Sequence, residues 1–250
     1  MMCKNPIKKT YLSLLARKLK NYEINLLNKY DAIAAITPLD AALYRNLGFK
    51  KSLIHIPFGI NTKLYINDRE TAVEFPSLFH LGSMDWEPNL EAITWFLDSI
   101  WNPLKQKHPS LKVYLAGKNM PQWIKNREEE NLIVTGEIKN SKEFMQSKSI
   151  MIVPLLSGGG MRVKIIEGMA MGKTIISTTI GAEGIACENN KSILIADTAV
   201  EFIDAISKCI SDPAFCLSIG ENSSLLVNEF YDNSKICNRL VLFYNELLNK

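Results

Sequence analysis

Between residues 78 and 195 short apolar runs alternate with amphipathic stretches, and this alternation leaves the chain few architectures. The runs 78–81, 112–116, 132–135, 150–155, 174–177 and 192–195 have the length of strands. They are apolar almost throughout rather than at every second residue, which is what a strand covered on both faces requires. Stretches 89–101, 141–145 and 162–171 read as the intervening helices. The pattern predicts an α/β fold built on an open, doubly wound parallel sheet. Such sheets bind ligands beyond the carboxyl ends of their strands, so the loops that follow the strands are where function is to be sought.

A shorter copy of the pattern precedes it. Leu12, Leu15, Leu19, Tyr22 and Leu26 recur at helical spacing within residues 8–29, and a strand at 32–37, a helix at 40–46 and a strand at 53–56 follow. Residues 61–76 are mostly polar, lack periodicity and suit a linker. Helices at 200–211 and 235–248 close the chain.

Charge narrows the partners. The net charge of +3 is too small to drive nucleic-acid binding, so any anion site is local. The first thirty residues carry Lys4, Lys8, Lys9, Arg17, Lys18, Lys20 and Lys29 against Glu23 alone, which leaves the remainder mildly acidic. The basic helix 8–29 is compatible with an anionic membrane surface, or with packing against the neighbouring strands. The longest uncharged run, 149–161, is shorter than the ~18 residues of a spanning helix, and no signal peptide is recognisable. Cys3, Cys187, Cys209, Cys216 and Cys237 form no Cys-x-x-Cys pair or zinc spacing, which fits a reduced cytoplasmic setting without a metal site.

The segment most informative about chemistry is SGGGMRVKIIEGMAMGKTIIS, residues 157–177. Gly158, Gly159 and Gly160 remove every Cβ from the turn that opens a helix, so backbone N–H groups can approach an anion at the helix start, and phosphate is the natural guest. Arg162 and Lys164 occupy the first turn, where the helix dipole disfavours positive charge unless an anion offsets it. Glu167 follows one turn later. Its carboxylate has two readings, a ligand for a ribose diol or an i,i+3 partner of Lys164. Residues 168–174 imitate a Walker phosphate loop but have three residues between the glycines where four are needed, and they lead from helix into strand.

The segments LGSMDWEPN (81–89), LAGKN (115–119), VTG (134–136) and the 157–184 stretch, in this order and spacing, resemble the C-terminal half of group 1 (family 4) glycosyltransferases. Residues 220–248 are similar to the terminal helices of that family, and the resemblance covers roughly residues 10–248. It implies a GT-B enzyme, in which two Rossmann-like domains face each other across a cleft and the C-terminal one holds a nucleotide-diphosphate sugar. On that reading residues 1–72 are a remnant of the acceptor-side domain plus linker, 73–225 the Rossmann-like nucleotide-sugar domain, and 226–250 a helix packing back toward the N-terminal part.

The resemblance makes Glu167 the second glutamate of the family pair, the one that binds ribose. Gly158, Gly159 and Gly160 then hold diphosphate and sugar, Gly82 and Ser83 face the phosphates, and Lys118 reaches the donor from the other side. Backbone near Gly136, Glu137 and Ile138 frames the base. Two departures stand out. The first glutamate of the pair falls on Gly159, and Asp85, Trp86 and Glu87 stand where basic residues are expected. Arg162 and Lys164 are therefore expected to supply the charge that holds the diphosphate. The scattered His55, His80 and His108 form no triad, and no catalytic base can be named.

The implied activity is transfer, with retention of anomeric configuration, from a nucleotide sugar to a glycan or lipid-linked acceptor in cell-surface polysaccharide or glycolipid synthesis. The donor is a substrate, no cofactor is implied, and independence of metal is the expectation. At 250 residues the chain is short for two such domains and reads as a glycosyltransferase that begins late. A donor-binding module without catalysis, from a truncated or split gene, and a GT-B nucleotide-sugar epimerase are the alternatives.

Overall fold

Apolar residues at the expected strand positions pair in parallel ladders, with helices crossing between them. The computed structural model describes residues 6–27, 29–65 and 72–249. In chain order the first elements are α1 (Pro6–Leu27), β1 (Ala32–Ala35), α2 (Pro38–Asn46), β2 (Ser52–His55) and a 3-10 turn (Thr62–Tyr65). There follow β3 (Glu74–Leu81), α3 (Glu87–Trp95), a π-helical stretch (Phe96–Trp101), α4 (Asn102–Lys107), β4 (Lys112–Ala116), α5 (Gln122–Lys125) and β5 (Leu132–Gly136). The chain ends with α6 (Ser141–Gln146), β6 (Lys148–Val153), α7 (Val163–Ala170), β7 (Thr174–Ser177), β8 (Leu194–Ile195), α8 (Ala199–Ser211), α9 (Pro213–Phe230) and α10 (Asn233–Leu248). No described helix is long and apolar enough to cross a membrane.

The chain divides into two compact units, one made of residues 1–57 with 236–250 and the other of residues 58–235. In the smaller unit β1 and β2 pair in parallel, with Ala32 opposite Ser52 and Ala35 opposite His55. Pro38, which ends the strand pattern, sits in the first turn of α2, and Thr37 caps that turn by accepting from Asp40 N at 3.0 Å. From α10, Arg239 Nη2 donates to His55 O at 2.8 Å. Helix α1 leaves Tyr11, Leu12, Leu15, Leu19 and Tyr22 exposed.

The larger unit holds a six-stranded sheet in the order β5-β4-β3-β6-β7-β8, all parallel. Alternate residues of its strands enter two separate cores. Leu78, Val113, Leu115, Ile150, Ile152 and Ile176 pack with Phe96, Trp101 and Phe202 on one face. Phe79, Met151, Val153 and Ile175 pack with Ile165, Ile166, Met169 and Val227 on the other. Both faces being covered explains why the strands are apolar without alternation.

The helical rod that starts at α3 runs past Trp101, because the π-helical stretch ends where Pro103 enters the first turn of α4. Strand β3 starts at Glu74, whose carboxylate is held by Lys112 Nζ at 2.8 Å and by the Tyr114 hydroxyl at 2.6 Å. Part of the polar segment 61–76 is structured. Ile60 N donates to Tyr231 O and Asn233 N to Ile60 O, each at 2.9 Å, and Thr62 Oγ1 donates to Asp232 at 2.6 Å. These bonds fasten the 3-10 turn to the end of α9 and fix the position of Tyr65.

Candidate functional site

From the central strand β3 the chain moves outward through β4 to β5, and it returns to the other side of β3 as β6. Connections therefore leave the carboxyl ends of β3 and β6 in opposite directions, and a crevice opens where the order reverses. A cavity of about 540 Å³ lies there, wholly within the larger unit. His80, Gly82, Ser83, Trp86 and Asn89 line it from the β3 side, Gly117 and Lys118 from β4, Glu137 and Ile138 from β5, and Met161, Arg162, Val163 and Lys164 from the start of α7.

The loops after β3 and β4 are stitched together by backbone. Gly82 N donates to Ala116 O at 3.1 Å and Met84 N to Lys118 O at 2.9 Å. A Cβ on Gly117 would lie 1.7 Å from Gly82 O, and its φ of +147° suits glycine. Ser83 Oγ donates to Asp85, while Asn89 Nδ2 donates to Ser83 O at 2.9 Å. The Lys118 amine stands 3.5 Å from Glu137 Oε1 with both side chains well exposed, a weak pair that a ligand can displace.

The glycine loop folds back on the arginine that follows it. Gly158 and Gly160 adopt left-handed backbone, at φ +108° and +84°. Arg162 Nη1 donates to Gly159 O at 2.6 Å and to Gly160 O, and the guanidinium lies 5.0 Å from the Trp86 ring. Its Nε and Nη2 are buried without a hydrogen-bond partner among the described residues. Burial lowers the Arg162 pKa from its ordinary value. No side chain caps α7 and no acid stands in its first turn, whereas Thr37, Asn140 and Thr198 cap α2, α6 and α8. Unpaired guanidinium donors beside an uncapped helix start favour an anion.

Glu167 projects from α7 next to this wall but is not among the residues that line the cavity. Its side chain is 13% exposed, with Oε2 at 2.5 Å from Lys164 Nζ. Oε1 accepts from the Tyr65 hydroxyl at 2.7 Å. Burial first, and then the Glu167 hydrogen bond, push the Tyr65 phenol up to about 12. The i,i+3 pair considered from sequence is thus present, and Tyr65 is a second partner.

Of the residues singled out in sequence, Gly82, Ser83, Lys118, Arg162 and Lys164 meet at one cavity. Gly158, Gly159 and Gly160 form the adjoining loop, with Glu167 one turn inside. Sequence reasoning missed Tyr65, Asn89, and the place of His80 and Trp86 in the wall. Trp95 and Trp101 belong to the core, as their helical spacing implies. Among the described residues no group of three or more His, Cys, Asp or Glu side chains is placed to hold a metal ion.

The family Glycosyl transferases group 1 matches residues 75–212, more than half of the chain. A Klebsiella pneumoniae relative, described as an uncharacterized 44.6 kDa protein in the cps region, is 23% identical over 170 residues that cover 64% of this chain and 44% of that protein. The solved glycosyltransferase of Rickettsia africae ESF-5 aligns with 92% of this chain and 67% of its own at a TM-score of 0.74 and 18% identity. HepE of Anabaena, solved in complex with UDP and glucose, aligns with 90% of this chain and 66% of its own at 0.70 and 15%. The chain thus spans less than half the length of its Klebsiella relative. Sheet order and solved relatives define the class, a Rossmann-like domain of the GT-B glycosyltransferase fold. Within that class, the chain belongs to the group 1 glycosyl transferases.

Proposed function

We propose that the switch-point cavity binds a nucleotide-diphosphate sugar and that the chain carries the donor half of a glycosyltransferase acting in cell-surface polysaccharide or glycolipid assembly. The observation that carries this reading is Arg162, a guanidinium at a helix start that lines the cavity and has two buried nitrogens without a hydrogen-bond partner among the described residues. HepE was solved with UDP-glucose, and the Klebsiella relative is encoded in a cps region, which supports the donor and the setting.

The chemistry follows from the wall. As the glycosidic bond to the diphosphate breaks, negative charge grows on the leaving oxygens. Arg162, Lys164 and the amides of the glycine loop stabilise it on this reading, and no metal is required. Lys164 is held by Glu167 in the structure, so a diphosphate at the helix start shares that amine while Glu167 turns toward the ribose. Transfer retains the anomeric configuration, and a glycan or lipid-linked acceptor receives the sugar at the cytoplasmic face of the membrane.

The test is a calorimetric titration of the chain with UDP-glucose, UDP-N-acetylglucosamine and GDP-mannose. Saturable binding of at least one, weakened in Glu167→Ala, is expected. Binding of none of them overturns the proposal.

A further inference from the structure

His80 is 2% exposed, yet it lines the cavity. Its Nδ1 lies 3.1 Å from Ile152 O. A carbonyl only accepts, so Nδ1 carries the ring proton and Nε2 presents a lone pair. Nε2 is buried and has no hydrogen-bond partner among the described residues. A buried acceptor left without a partner is costly, about 1–3 kcal/mol, and calls for a donor.

The space beside it is shaped by a glycine. A Cβ built on Gly82 would lie 2.9 Å from His80 Nε2 and 2.5 Å from Asn89 Nδ2, so only glycine lets these two polar atoms close on the backbone here, and a side chain at residue 82 would push them away. Asn89 spends an amide hydrogen on Ser83 O and is thereby fixed beside Gly82. Burial pushes the His80 pKa down to about 4, so the ring is neutral and the acceptor persists at neutral pH. A neutral acceptor attracts no phosphate; it selects a neutral donor, O–H before all else in a sugar nucleotide.

We propose that His80 Nε2, the unpartnered acceptor of a residue lining the cavity beside Gly82, is a hydroxyl-recognition subsite that accepts a hydrogen bond from a hydroxyl of the bound sugar nucleotide. This rests on the donor-binding reading above. His80 is a specificity residue for the ligand, separate from the charges that hold the diphosphate. The hydroxyl belongs either to the ribose or to the transferred sugar, and the two sources are separable.

The experiment titrates the full chain and its His80→Phe variant with UDP, 2′-deoxy-UDP and UDP-glucose, alongside thermal unfolding of the unliganded proteins. Phenylalanine keeps the ring volume and removes the Nε2 acceptor together with the Nδ1–H donor to Ile152 O. Weakening of UDP-glucose by about fivefold, in a variant that still unfolds cooperatively well above the titration temperature, is expected. Equal weakening of UDP assigns the hydroxyl to the ribose, to its 2′ position where 2′-deoxy-UDP is unaffected and to its 3′ position where 2′-deoxy-UDP is weakened as well; weakening of UDP-glucose alone assigns it to the sugar. Unchanged affinities for UDP and UDP-glucose overturn the subsite while leaving donor binding intact. If the wild-type chain binds none of these probes, nor the other nucleotide sugars named above, the donor reading falls and the subsite with it. Should His80→Phe not fold, nitrogen-15 NMR of the wild-type imidazoles decides: the His80 Nε2 resonance moves upfield on saturation with UDP-glucose, and an unmoved resonance overturns the proposal.

Discussion

The hydroxyl of Tyr65 donates a 2.7 Å hydrogen bond to Glu167 Oε1 across 102 positions of sequence, tying the 3-10 turn ahead of the sheet to the helix that follows the glycine loop. Glu167 is thereby held between Tyr65 and Lys164. Tyr65→Phe is expected to lower stability by about 1 kcal/mol in urea denaturation. The sign of the pH dependence is fixed, because the folded-state phenol is raised to about 12 from an ordinary value of 10.0. The contribution of Tyr65 is complete below pH 10.0 and disappears as pH rises through about 12. Denaturation of both proteins between neutral and strongly alkaline pH checks this.

His80 gives the opposite window. Its folded-state pKa lies at about 4 against 6.5 for an ordinary histidine. Its neutral burial is therefore without protonation cost above pH 6.5, and stability is lost as pH falls from there toward about 4. The slope from this one group approaches about 1.4 kcal/mol per pH unit and flattens below the folded pKa. His80→Phe is expected to lack that component of the acid slope, measured by urea denaturation at successive pH values.

Gly117→Ala tests the stitched loops. The added Cβ meets backbone oxygen at 1.7 Å, which no rotamer change relieves, and the loop after β4 must separate from Gly82. A loss of at least about 2 kcal/mol is expected in chemical denaturation.

Gly159 is the contrasting case, since a Cβ there meets nothing within 4 Å and the backbone is not left-handed. Gly159→Glu, which restores the acid that the family resemblance leads one to expect, should change stability by no more than about 0.5 kcal/mol. It should also tighten UDP-glucose relative to UDP by about threefold, as one added hydrogen bond to the sugar would. Thermal unfolding and calorimetry measure the two effects.

The strands of the larger unit were legible because burial on both faces leaves a nearly continuous apolar run, and each expected run overlaps an observed strand. Segment ends were less so. The helix expected over 89–101 runs on into α4, with Pro103 in its first turn, and Glu74 reads as linker although Lys112 and Tyr114 hold it at the start of β3. In the site, Arg162 and Lys164 announced themselves by charge at a helix start. Tyr65 gave no signal, because its partner is distant in sequence and its own segment looks like a linker. His80 was visible only as a polar residue in an apolar strand; its place in the cavity wall depends on the order in which the strands assemble.

The central claim is that the start of α7 holds a diphosphate, and UDP affinity in the Arg162→Ala/Lys164→Ala double variant tests it most directly. Calorimetry is expected to show binding weakened at least about tenfold, near 1.4 kcal/mol, with the fold intact by circular dichroism. An affinity equal to that of the unaltered chain would contradict the account.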